Sequence, residues 1–153
     1  MKHLLIVMHT PSPNTRAMRD ALIRGTRAAG CDDVTIRCAQ PLETQAEDVL
    51  WANAVILGTT ENFGYMSGAL KDFFDRIYYP CLEKTPGMPF ALLIRAGLDG
   101  TGTQRAVEAI TTGLKWRAVQ PPVLCKGEWD DAFLPMCEEL GQTMTAALDA
   151  GVI

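Results

Sequence analysis

Leu4-Leu5-Ile6-Val7-Met8, running directly into His9-Thr10-Pro11-Ser12-Pro13-Asn14-Thr15, is the stretch that decides the fold. Five successive apolar residues without alternation suit a strand buried on both faces, and the hydroxyl, amide and proline residues behind it suit a turn into a helix. A strand covered on both faces needs helices on both sides of its sheet. Working outward, Met18, Leu22, Gly25 and Ala29 recur at helical spacing over residues 15–29, among Arg16, Arg19, Arg24 and Arg27, and Gly30 is a stop signal. Val34, Ile36 and Cys38 alternate with polar residues as a weaker second strand suited to an edge. A short helix is expected over residues 43–51 and a buried third strand over 54–58. Ser67 then caps a helix that turns Leu70, Phe73, Phe74 and Ile77 to one face. Residues 90–94 read as the fourth strand, followed by a helix from Thr103 with Val107, Ile110 and Leu114 inward. Residues 119–125 form a fifth strand that Pro121-Pro122 must either confine to an edge or split. The last helix covers about residues 131–149, with Phe133, Cys137, Leu140, Met144 and Leu148 on its inner side.

Strand and helix alternating in this way give an α/β class: a five-stranded parallel sheet with helices on both faces and right-handed crossovers. The weak second strand and the proline-broken fifth fit the two edges, so the expected order is 2-1-3-4-5. Ligands of such sheets sit at the carboxyl ends of the strands where the order reverses, here between strands 1 and 3. Three loops are thereby singled out: residues 9–14, 58–68 and 95–103.

Size and composition narrow the function classes. At roughly 150 residues per domain, the 153 residues fit one domain, 1–153, and leave no room for a separate substrate domain. Fourteen basic and eighteen acidic residues give a net charge of −4, which argues against a duplex nucleic-acid partner. No stretch reaches the roughly 18 apolar residues of a membrane span, and the run from Leu4 to Met8 is too short for a secretion signal. Cys31, Cys38, Cys81, Cys125 and Cys137 show no C-x-x-C spacing, which fits mostly buried thiols in a cytoplasmic protein and neither a zinc site nor a disulfide framework. No metal is expected.

The first loop packs Thr10, Ser12, Asn14 and Thr15 against the start of a helix, where unpartnered N–H groups and the helix dipole favour an anion such as phosphate. The alternative is that Ser12 or Asn14 simply caps the helix while Thr10 satisfies loop backbone. The second loop, residues 58–68, carries glycines at 58, 64 and 68 around Phe63 and Tyr65. Such glycines admit a flat ligand and an aromatic supplies stacking area, unless both aromatics fold down onto the sheet. The third loop has three glycines in Gly97-Leu98-Asp99-Gly100-Thr101-Gly102. Arg95 before it could screen an anion or pair with Asp99, and His9 reads as a structural loop residue.

Thr10-x-Ser12-Pro13-Asn14-Thr15 resembles the T/S-x-T-G-N-T phosphate loop of flavodoxin-like FMN proteins, with Pro13 in place of the usual glycine. Residues 58–76, ending in Ser67-Gly68-Ala69-Leu70-Lys71-Asp72-Phe73-Phe74-Asp75-Arg76, resemble the ring-wrapping segment of NAD(P)H-dependent FMN and quinone reductases of the tryptophan-repressor-binding-protein type. Thr60 stands where that family often has proline. The resemblance implies a flavodoxin-like three-layer sandwich and FMN as cofactor. It implies phosphate contacts from Thr10, Ser12, Asn14 and Thr15, and flavin contacts from Thr60, Glu61, Asn62, Phe63, Gly64, Arg95, Ala96, Gly97 and Gly102. It further implies NADH or NADPH as electron donor, a quinone, flavin or other small molecule as acceptor, and a homodimer. No catalytic side chain is expected, because the cofactor carries the chemistry. A flavodoxin-type electron carrier and a flavin-free binding module are the alternatives, the latter motivated by Pro13 and Thr60.

Overall fold

A computed structural model describes all 153 residues. Its strands are β1 (Lys2–Met8), β2 (Val34–Ala39), β3 (Ala54–Asn62), β4 (Tyr65–Met66), β5 (Pro89–Ala96), β6 (Arg117–Ala118) and β7 (Val123–Lys126). The helices are α1 (Pro13–Ala28), α2 (Ala46–Trp51), α3 (Gly68–Cys81), α4 (Thr101–Gly113) and α5 (Phe133–Ala150), with a 3₁₀ turn at Pro41–Glu43.

The sheet runs β2-β1-β3-β5-β6, and β7 also pairs with β5 in parallel register. In order of appearance along the chain this is the expected 2-1-3-4-5 arrangement. The fifth strand is both an edge and split: β6 and β7 flank Pro121-Pro122, which carry no N–H to donate to the ladder. One element was not foreseen. β3 runs four residues past Gly58 and folds back on β4, pairing Glu61 with Met66 and Asn62 with Tyr65.

Side chains of β1 alternate between two cores, although all five from Leu4 to Met8 are buried. Leu5 and Val7 join Val55, Leu57, Leu92 and Ile94 beneath α2, α3 and α4, where Leu70, Phe73, Phe74 and Ile77 pack as expected. Leu4 and Ile6 join Ile56 and Leu93 beneath α1 and α5, against Met18, Leu22, Cys137, Leu140 and Met144. Two apolar faces explain why β1 lacks polar alternation, and the resulting layers bring the ends of β1, β3 and β5 together at one edge.

Candidate functional site

All three loops converge on that carboxyl edge. Met8 stands beside Gly58 and Thr60 beside Arg95 in the parallel register, and the His9 N–H donates to Gly58 O at 3.0 Å.

Ser12 begins α1 as its N-cap, in a reciprocal box with Thr15. Ser12 Oγ accepts from the Thr15 N–H at 3.1 Å, and Thr15 Oγ1 accepts from the Ser12 N–H at 3.0 Å. The two hydroxyls lie 2.9 Å apart. Both are thus largely spent on the helix start, and Pro11 and Pro13 have no N–H. What the loop retains is the Asn14 N–H and side-chain amide, neither bonded within the protein, and the proton of the Thr10 hydroxyl. Thr10 is buried, and its Oγ1 accepts from Gln40 Nε2. The first turn of α1 contains no acidic residue, so its positive dipole end is not neutralised from within. Nearby, His9 Nδ1 is buried with no partner, and burial holds the imidazole below its ordinary range.

The second loop is a hairpin. Phe63 and Gly64 form its two-residue tip with φ of 54° and 72°, the signature of a type I′ turn. Phenylalanine in left-handed backbone costs on the order of 1 kcal/mol, and its ring is fully exposed. Tyr65 is also exposed. The Phe63 ring does not fold down onto the sheet. Thr60 Oγ1 donates to Asn62 Oδ1 at 2.8 Å, while the hydroxyl of buried Thr59 donates to Thr60 O and accepts from the Ser67 N–H. Ser67 Oγ in turn caps α3 through the Leu70 N–H at 3.1 Å.

Glu61 ties this hairpin to the third loop. Its carboxylate accepts from the Leu98 N–H at 3.0 Å and the Gly100 N–H at 2.9 Å. Thr103 Oγ1 adds a bond to Tyr65 O at 2.9 Å. Gly102 lies directly against the hairpin tip, where an added Cβ would stand 2.1 Å from Gly64 O. Its missing side chain therefore serves loop-to-loop packing. Gly97, by contrast, has open space where a Cβ would sit, and Leu98 beside it is exposed.

Arg95 does not pair with Asp99. Its guanidinium donates to Ala96 O at 2.8 Å and Cys125 O at 3.1 Å and lies 4.9 Å from the Phe133 ring centroid, on the α5 side of the sheet. Asp99 caps the Thr101 N–H instead, and that bond holds its carboxyl below the usual carboxylate range. Burial pushes the Cys38 and Cys81 thiols up, and Cys137 is raised by its bond with Cys125 and by burial, whereas that same bond, with the Arg95 charge, lowers the buried Cys125 thiol.

Two contributors escaped the sequence reading. Gln40 reaches Thr10 from the turn after β2, outside the three expected loops. Arg76, read as part of a charged helix face, does pair with Asp72, yet it also donates to Pro41 O at 2.7 Å and Thr44 O at 2.6 Å, pinning that turn to α3. Only its spacing to Asp72 was visible in the sequence. The largest concavity, about 400 Å³, lies elsewhere, between β7 and α5 around Pro122, Leu124 and Met136. It holds no unspent hydrogen-bond donor at a helix start and no exposed aromatic ring, so the open carboxyl edge remains the better site. The residues present there fit FMN: unspent donors at a helix start for a phosphate, a buried imidazole nitrogen without a partner, and a free aromatic tip for a planar ring.

Known proteins agree with this architecture. An archaeal flavodoxin superimposes with a TM-score of 0.78 at 18% identity, covering 97% of this chain and 99% of that one. A WrbA-like flavodoxin from Agrobacterium tumefaciens gives 0.74 at 18% identity, with 99% of each chain covered. In sequence, a flavodoxin from Aquifex aeolicus (strain VF5) is 28% identical over 114 residues, which is 74% of this chain; the chain spans 60% of that relative's length. Residues 26–129 match the family described as NADPH-dependent FMN reductase. With the flavodoxin-like strand order and over half of its length matched, the chain belongs to the NADPH-dependent FMN reductase family.

Proposed function

We propose that this protein binds FMN at the carboxyl edge of β1, β3 and β5 and uses it to pass reducing equivalents from NADH or NADPH to a quinone, a flavin or another small acceptor. The observation that carries this reading is the pairing, on one sheet edge, of unspent donors at the start of α1 with a braced hairpin whose Phe63 ring is fully exposed. Thr10 and Asn14 would donate to the phosphate. Backbone groups of residues 60–64 would hold the ring edge, with Phe63 or Tyr65 shielding one face from water, and Glu61 would keep the 97–100 segment beside it. FMN, when bound, supplies the hydride chemistry. The chain contributes binding, orientation and electrostatics, and no side chain is asked to act as acid or base.

Purified protein should absorb at about 450 nm and lose that band on anaerobic mixing with NADPH or NADH, then regain it on adding a quinone. Colourless protein that does not quench added FMN would support a flavin-free module instead. Similarity to the Aquifex flavodoxin favours a second reading, an electron carrier without substrate turnover. Bound FMN that resists both nicotinamides yet is reduced by a protein donor would support it. Against a carrier stand the modest net charge of −4 and the arginines Arg16, Arg24 and Arg27 exposed on α1.

A further inference from the structure

Thr10 is gripped at two points by Gln40. The Thr10 N–H points at Gln40 Oε1 at 3.4 Å, and Gln40 Nε2 lies 2.5 Å from Thr10 Oγ1. A backbone N–H can only donate, so the amide oxygen must face it and the amide NH₂ must face the hydroxyl. The hydroxyl oxygen is therefore the acceptor in that bond. Its own proton is left to a third partner, and the protein provides none. Gln40 is itself held firmly: its carbonyl accepts from the Thr44 hydroxyl at 2.7 Å and the Glu43 N–H at 3.0 Å. Arg76 fastens the same turn to α3 through Pro41 O and Thr44 O. An α3 arginine thus braces a turn that orients a side chain in the first loop.

We propose that Gln40 is a positioning residue for phosphate: by donating to Thr10 Oγ1 it aims the hydroxyl proton at a bound phosphate, and so makes the loop select FMN over riboflavin. This rests on the flavin reading above. It also addresses how a loop with prolines at 11 and 13 could still grip a phosphate, since an oriented side-chain donor replaces backbone donors that proline removes.

The test compares FMN and riboflavin dissociation constants, by flavin fluorescence quenching, in the wild-type chain and in Gln40→Glu, Gln40→Met, Thr10→Val and the Thr10→Val/Gln40→Met double variant. A carboxylate at position 40 accepts the hydroxyl proton and adds a negative charge, so Gln40→Glu should weaken FMN about 10- to 100-fold while riboflavin changes by less than about threefold. Uncharged Gln40→Met should lower the FMN preference by a smaller factor, and should have no further effect once Thr10 is valine. Should Gln40→Glu fail to fold by circular dichroism, Gln40→Met and the double variant carry the comparison. Equal weakening of both flavins, no change in preference, or additive losses in the double variant would overturn the proposal. Wild-type protein that binds riboflavin as tightly as FMN overturns it while leaving the flavin reading intact. Binding of neither flavin overturns both.

Discussion

At the scale of single residues, the site is built from groups that spend their hydrogen bonds on one another and a few that do not. Glu61 is the clearest case of the first kind. Exchanging it for Gln removes one of two acceptor oxygens, leaving the Leu98 or Gly100 N–H without its partner, at a cost of about 1–2 kcal/mol to local closure. Hydrogen exchange should show faster exchange at those amides in Glu61→Gln, with α1 amides unchanged. Gly102→Ala should push the hairpin tip away, since a Cβ there meets Gly64 O at 2.1 Å, and should weaken FMN binding about tenfold in the same quenching titration. His9 carries a pH signature. Burial lowers its folded pKa below the ordinary value of 6.5, so the unfolded chain binds the proton more readily. Stability from the neutral imidazole is intact above about pH 6.5 and is lost as pH falls below it, through the lower folded value. Urea midpoints should drop more between about pH 7.5 and 5 in the wild type than in His9→Gln. Equal drops would show that His9 is not the group responsible.

Among elements, α1 and α5 approach so closely that their backbones meet. A Cβ on Gly25 would stand 1.9 Å from Glu138 O, and one on Gly141 would stand 2.1 Å from Leu22 O. The two glycines face each other's helix, and neither carbonyl can retreat without unwinding a turn. Gly25→Ala and Gly141→Ala should each cost about 3 kcal/mol in urea unfolding. Gly68→Ala, at the first position of α3 with open space around it, should instead stabilise by about 0.5 kcal/mol. Gly25 was legible as a core-facing position from its spacing with Met18 and Leu22. That Gly141 answers it from α5 was not legible, because the pairing depends on where two distant helices cross. Similarly, the Ser67 cap of α3 was readable from local sequence, whereas the β3–β4 hairpin was not: Asn62-Phe63-Gly64-Tyr65 lacks the usual Asn-Gly centre that advertises a type I′ turn.

For the whole molecule, alternating buried strands and one-faced helices determined the class, the strand order and the edge that would carry the site. This follows because periodicity and turn chemistry are local, and a sheet buried on both faces admits few connections. That the hydroxyl-rich first loop, the aromatic-bearing second and the glycine-rich third meet at this edge was likewise legible from residue type and position. Tertiary structure alone decided how their hydrogen bonds are spent. It turned Arg95 toward Phe133, set Gly102 beneath the hairpin tip and brought Gln40 to Thr10 from thirty residues away. Each of these depends on distances between segments far apart in the chain, and a side chain's choice among several partners depends on which of them packing brings within about 3 Å.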